Sequence, residues 1–148
     1  MTDYSLLCAQ VAALTEDVPN PISNLANTAA CIWQSLPNIN WAGFYLKEGA
    51  ALLLGPFQGK PACVRIPVGK GVCGTAAATG TTQLVPDVHA FPGHIACDSA
   101  SRSEIVVPLF RHGQLFGVLD IDSPVCNRFS PEDQAGLERL AEILEACL

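Results

Sequence analysis

The spacing of apolar residues changes period several times along the chain, and each change marks an element. Leu6, Leu7, Val11 and Leu14 recur at helical intervals. Asn20-Pro21 then offers an N-cap and a favoured first helical residue to a second helix carrying Ile22, Leu25, Ala29, Ile32 and Trp33, which Pro37 stops. From Asn40 the period shortens. Trp41 to Leu46, a polar Lys47-Glu48-Gly49, and Ala51 to Leu54 predict a β-hairpin, followed by a short strand around Cys63-Val64-Arg65-Ile66. Gly69 to Gly80 predicts a short helix entered through a glycine-rich turn, and Thr82 to Val85 another strand. Pro86 to Ser103 has no clear period and reads as a long loop, a feature that in small domains is often functional. Glu104 to Phe110 and Leu115 to Asp122 flank a turn at Arg111 to Gln114 and predict a second hairpin. In the last segment Ser130 and Asp133 form a capping box, ahead of a stripe of Leu137, Leu140, Ala141 and Leu144.

This order, two helices, a hairpin, a strand, a helix, a strand, a loop, a hairpin and a helix, predicts an α+β fold with one central, mostly antiparallel sheet flanked by helices. Neither a repeat nor a linker interrupts it, so residues 1–148 are expected to form a single domain. Its N-terminal helices would occupy 1–36, a site loop 86–103 and a C-terminal helix 131–147. A chain of 148 residues with 49% hydrophobic and 15% charged content can bury such a core. Its net charge of -6 repels phosphate backbones and anionic lipid, which argues against nucleic-acid and membrane-surface binding. No apolar run approaches the roughly 20 residues a membrane span needs. The first residues carry Asp3 and no Lys or Arg, unlike the basic start of a signal peptide, so the expected location is the cytoplasm.

Seven cysteines are many for a reducing compartment. Cys8, Cys31, Cys126 and Cys147 lie in apolar or terminal stretches and read as small packed hydrophobes. Cys63, Cys73 and Cys97 sit in Gly-, Pro- and Ser-rich surroundings at loops and element ends, and are the candidates for chemistry. A zinc site from His94, Cys97, Cys63 and Cys73 is the rival reading, but the paired C-x2-C spacing is missing. The stretch Gly69 to Gly74 lacks both phosphate-loop spacings and reads as a helix-entry turn.

Strand geometry assigns side chains to faces. Val118, Asp120 and Asp122 share one face of their strand, Leu119 and Ile121 the other, and hairpin register brings Glu104 beside Asp120 or Asp122. The three acids either converge beneath the long loop or point to water at a strand end. Trp41 and Tyr45 share a face, with Gly43 between them leaving room; they are either an aromatic wall for a small ligand or core. Cys97, in the loop seven residues before Glu104, suits a nucleophile whose attack is coupled to protonation of a leaving oxygen, and Cys63 or Cys73 could supply a resolving thiol.

Asn40-Trp41-Ala42-Gly43-Phe44-Tyr45, Gly55-Pro56-Phe57-Gln58-Gly59, Ala62-Cys63-Val64-Arg65-Ile66-Pro67, Gly71-Val72-Cys73-Gly74, His94-Ile95-Ala96-Cys97, Ser103 to Pro108 and Gly117 to Asp122 together resemble the free methionine-R-sulfoxide reductases, enzymes built on one GAF domain. The resemblance runs from about residue 20 to the last helix. It implies that Cys97 attacks, that Cys63 is the principal resolving thiol and that Cys73 is auxiliary. It further implies that Glu104, Asp120 and Asp122 surround the substrate and that Trp41 and Tyr45 wall its pocket. The implied cycle takes free methionine-R-sulfoxide, leaves a sulfenic acid and then a disulfide, and is renewed by a thioredoxin-type dithiol, with no metal or organic cofactor. A homodimer is expected from the apolar girth of the first helix and from Ile143 and Cys147, which lie off the stripe of the last. Two other functions fit parts of the pattern. A non-catalytic GAF sensor would need an output segment, which is not expected after Leu148, and a thiol redox switch would leave the acids and aromatics unexplained.

Overall fold

The computed structural model describes residues 1–95 and 99–148. Helices α1 (Tyr4–Thr15) and α2 (Pro21–Ser35) lead into strands β1 (Trp41–Glu48), β2 (Ala51–Gly59) and β3 (Arg65–Pro67). Helix α3 (Gly71–Thr79), strands β4 (Gln83–Val85), β5 (Ser103–Arg111) and β6 (Gln114–Ser123), and helix α4 (Pro131–Glu145) complete the chain. Among the described residues the strands form one six-stranded sheet in the order β3-β2-β1-β6-β5-β4, and every neighbouring pair is antiparallel. The expected α+β architecture is therefore the observed one.

Local chemistry explains the boundaries. Asp3 and Asn20 cap α1 and α2 by accepting from the backbone N–H of Leu6 and Ser23. Ser130 and Asp133 form the full capping box at α4. Gly71 enters α3 with φ +65°, a left-handed conformation that glycine adopts without strain. Both hairpins extend further than the apolar runs suggest, because ladder pairing continues through polar positions such as Lys47 and Gln58. The aperiodic loop contains a 3-10 turn at Val88–Ala90, capped by Asp87.

The period-two alternation divides the interior. On one face Ala42, Phe44, Ile105, Val107, Leu109, Leu119 and Ile121 pack against Leu7 and Val11 of α1, Leu25, Ala29 and Ile32 of α2, and Leu137, Leu140, Ala141 and Leu144 of α4. On the other, Trp41, Tyr45, Val106 and Val118 meet Val72, Cys73 and Ala76 of α3 together with Ile66, Val85 and Val88. The helices thus occupy one face, leaving α3 and the connecting segments to build a site on the other.

Three details of the sequence pattern need correction. Leu6 and Leu14 are exposed, as are Ile22 and Trp33, because α1 turns Tyr4, Leu7, Val11 and Thr15 inward and α2 turns in Asn24, Leu25, Thr28, Ala29 and Ile32. Cys126 is exposed rather than packed, whereas Cys8, Cys31 and Cys147 are half-buried. Gly43 leaves no room beside Trp41 and Tyr45: a Cβ there would lie 2.8 Å from the Trp41 ring and collide with Phe57, which fills the gap.

Candidate active site

Cross-strand register assembles the site. Asp122 on β6 lies opposite Trp41 on β1 and opposite Glu104 on β5, so these three residues form one row across three adjacent strands. In the next row on the same face, Asp120 lies between Gly43 and Val106. The acids therefore converge instead of pointing to water: Glu104 and Asp120 are 6% and 5% exposed. Facing them from the first turn of α3 is the buried thiol of Cys73. Its Sγ and one oxygen from each of Glu104 and Asp120 all lie within 4.8 Å of one another.

Trp41, Tyr45, Ile66, Lys70, Gly71, Cys73, His94, Ser101, Glu104, Asp120 and Asp122 line a single pocket. Trp41 and Tyr45 are buried in the core and also line this pocket. Trp41 stacks on Tyr45 at 5.8 Å and on Phe57 at 5.2 Å between ring centroids. Their polar ends grip the segment leading to β3: Trp41 Nε1 donates to the Lys60 carbonyl at 3.1 Å, and Tyr45 OH to the Cys63 carbonyl at 3.0 Å. Leu54 N–H adds a bond to the Val64 carbonyl at 2.9 Å.

Proton affinities follow from burial and like charge. Burial pushes the Glu104 carboxyl well above the ordinary carboxylate range, and Asp120 and Asp122 push it further. Burial also raises Asp120, but hydrogen bonds with Glu104 and Cys73 hold it back. Burial thus raises the proton affinity of both carboxyls, with the like charges of Asp120 and Asp122 adding to the rise at Glu104. Burial and the neighbouring acids likewise raise the Cys73 thiol well above its usual range, which makes it a poor nucleophile at neutral pH. His94 Nε2 is 4.0 Å from Glu104 Oε1; burial lowers its pKa, so it faces the acids as a neutral imidazole. Asp120 Oδ1 is buried with no hydrogen-bond partner among the described residues. That is a position a cationic ligand group would satisfy.

Of the expected site residues, Trp41, Tyr45, Cys73, Glu104, Asp120 and Asp122 share this pocket. Cys63 is disulfide-bonded and reaches the wall through its carbonyl. Cys97 lies outside the described residues. Among the described residues, the donors close enough to share a divalent cation are Cys73, Glu104 and Asp120; the rival zinc set of His94, Cys97, Cys63 and Cys73 includes Cys97, which lies outside them. Lys70 and Ser101 were not legible as pocket residues. Ser101 is buried and accepts a bond from Asn40 Nδ2 at 3.2 Å, a pairing across 61 residues that no local pattern encodes.

The GAF domain family model matches residues 20–148. The free methionine-R-sulfoxide reductase of Escherichia coli is 60% identical over 145 residues, covering 98% of this chain and 88% of that protein. The reduced form of the Staphylococcus aureus fRMsr is 53% identical and superposes with a TM-score of 0.98 over 100% of this chain and 96% of the other. The Neisseria meningitidis free methionine-R-sulfoxide reductase in complex with its substrate is 48% identical, with a TM-score of 0.94 over 97% of this chain and 87% of that one.

Proposed function

The chain belongs to the GAF family, among its free methionine-R-sulfoxide reductases, and from that membership we propose that Cys97, Cys63 and the buried acids carry out the reduction. One observation carries the assignment of roles. Glu104, Asp120 and Cys73 are packed together in a pocket walled by Trp41 and Tyr45, where burial and like charge raise the proton affinity of Glu104. A sulfoxide oxygen leaves only when protonated, and this acid is poised to supply the proton.

In the proposed reaction the Cys97 thiolate attacks the sulfoxide sulfur while Glu104 protonates the oxygen. In the resulting adduct the hydroxyl passes from the substrate sulfur to the Cys97 sulfur as the S–O and S–S bonds break, so methionine leaves with the electron pair and Cys97 becomes a sulfenic acid. The Cys63 thiol then displaces that oxygen as water and forms the Cys63–Cys97 disulfide. The disulfide borne by Cys63 in the described structure is consistent with this oxidised resting state. A thioredoxin-type dithiol returns two electrons and two protons. Asp120, whose Oδ1 has no hydrogen-bond partner among the described residues, pairs with the substrate α-ammonium, and Trp41 packs against the S-methyl group. Cys73 serves as an auxiliary thiol, and no metal or organic cofactor enters the cycle.

The enzyme is proposed to act in the cytoplasm as a homodimer. Among the described residues no helix is long and apolar enough to cross a membrane. The test of the cysteine roles is a single turnover on racemic free methionine sulfoxide. Cys97→Ser should release no methionine and leave both enantiomers intact. Cys63→Ser should release about one methionine per enzyme and then stop. A stoichiometric burst from Cys97→Ser would overturn the assignment of the nucleophile.

A further inference from the structure

The segment joining β2 to α3 differs electrically from the rest of the molecule. Residues 60–70 hold Lys60, Arg65 and Lys70 and no acid, so three of the chain's 8 cations fall in this stretch, leaving 5 cations against 14 acids elsewhere. All three are exposed, as is Pro61. Between them Val64, directly after the disulfide-bonded Cys63, is 67% exposed, and Ile95, which lines the pocket, is exposed as well. This apolar tip is not a mobile loop end. Its backbone is fastened by the bonds from Trp41 Nε1 to the Lys60 carbonyl, Tyr45 OH to the Cys63 carbonyl and Leu54 N–H to the Val64 carbonyl. Those bonds use the carbonyl groups and leave the side chains of Lys60, Val64 and Arg65 outward. A preorganised apolar knob ringed by cations, on a protein otherwise strongly acidic, has the composition of a docking surface and lies beside the sulfur that must be reduced.

We propose that Lys60, Val64 and Arg65 form the docking site for the protein dithiol that regenerates the enzyme, and that the matching surface of that partner is an apolar patch with acidic residues around its exposed dithiol. The proposal rests on the reductase reading in that Cys63 belongs to the catalytic disulfide. In the docked complex one partner thiolate attacks the Cys63 sulfur and breaks the bond to Cys97, which leaves as a thiolate and takes up a proton. The partner's second thiol then attacks the mixed disulfide and releases Cys63, so the partner dithiol becomes a disulfide and the enzyme gains two electrons and two protons. Attraction between the cationic rim and the acidic partner speeds encounter, while Val64 supplies the apolar contact.

The experiment measures reduction of the oxidised enzyme by reduced thioredoxin, with no sulfoxide present, and compares it with reduction by dithiothreitol, which needs no docking surface. Lys60→Glu combined with Arg65→Glu should lower the second-order rate with thioredoxin about tenfold and leave the dithiothreitol rate unchanged. The parent's thioredoxin rate should fall as salt rises, and Val64→Ser, which keeps the charges, should slow thioredoxin at every salt concentration. Equal losses with both reductants, or a parent rate indifferent to salt, would overturn the docking site. Because sulfoxide is absent, those outcomes are independent of the reductase reading, which fails separately if dithiothreitol supports no methionine formation.

Discussion

Glu104 carries the clearest conflict between stability and function in the molecule. In the unfolded chain its carboxyl ionises above about pH 4.3. In the folded protein it keeps its proton until the pH passes a value raised well above that by burial and by Asp120 and Asp122. Between the two values the folded state binds the extra proton, so stability declines as pH rises through this window. Glu104→Gln removes that decline and should raise the melting temperature at neutral pH, while slowing the single-turnover release of methionine by about a hundredfold or more through loss of the proton donor. Any fall in the parent's chemical step at alkaline pH that follows Glu104 ionisation should vanish in the variant. Asp120→Asn should behave differently, weakening binding of free methionine sulfoxide with a smaller effect on the rate at saturation, since pairing with the ammonium acts equally before and during reaction. Unchanged single-turnover rates in both variants would remove the acids from the mechanism. Strand alternation and hairpin register sufficed to bring these carboxyls together, because both follow from a period of two. Nothing in a one-dimensional pattern could tell which acid holds the proton, which depends on burial under α3 and His94.

At the scale of elements, the two chain ends are joined by a polar clasp. Tyr4 OH on α1 donates to Asp133 Oδ1 on α4 at 2.6 Å across 129 residues, and Arg128 Nη1 reaches Asp133 Oδ2 at 3.2 Å. Burial pushes the Asp133 carboxyl up, but Tyr4, the Ser130 N–H and hydroxyl, and Arg128 outweigh it and hold it below its ordinary value. A depressed folded-state pKa contributes stability above the unfolded value, near 3.9, and that contribution is lost as pH falls through the folded value. Tyr4→Phe removes a hydrogen bond to a charged acceptor and should cost about 1.5–3 kcal/mol in denaturant unfolding at neutral pH. The difference from the parent should shrink as pH falls below the unfolded value and through the depressed folded value of Asp133; a cost independent of acid would show that the hydroxyl contributes through packing alone. The sequence announced half of this clasp: Ser130 and Asp133 are a capping box by spacing. Tyr4 was invisible as the partner, because the stripe of α1 was assigned from Leu6 and Leu14, while the observed helix is rotated to bury Tyr4 and Thr15.

For the whole molecule, the same misassigned residues carry an argument about assembly. The antiparallel character of the sheet was legible because hairpins force antiparallel neighbours, but the pairing of β1 with β6 and of β4 with β5, which sets the strand order, joins segments distant in sequence and was not. Nor was the rotation of α1 and α2, since each carries more apolar residues than one sheet face can cover. The surplus is now visible: Leu6 and Leu14 on α1 are 55% and 46% exposed, and Ile22 and Trp33 on α2 are 54% and 38% exposed. A stable interface removes about 800 Å² from each partner, roughly a ninth of the 7152 Å² surface of this chain. Neither helix is covered by a further layer among the described residues, and the pocket opens on the opposite side of the sheet, so a second copy could cover these helices without closing the site. Light scattering at micromolar concentration should give twice the chain mass, and Trp33→Glu with Leu6→Glu should give the chain mass at an unchanged rate of dithiothreitol-supported methionine formation. A parent that is monomeric at that concentration would sink the dimer, and a variant that loses activity together with dimerisation would show that the second copy supports the pocket.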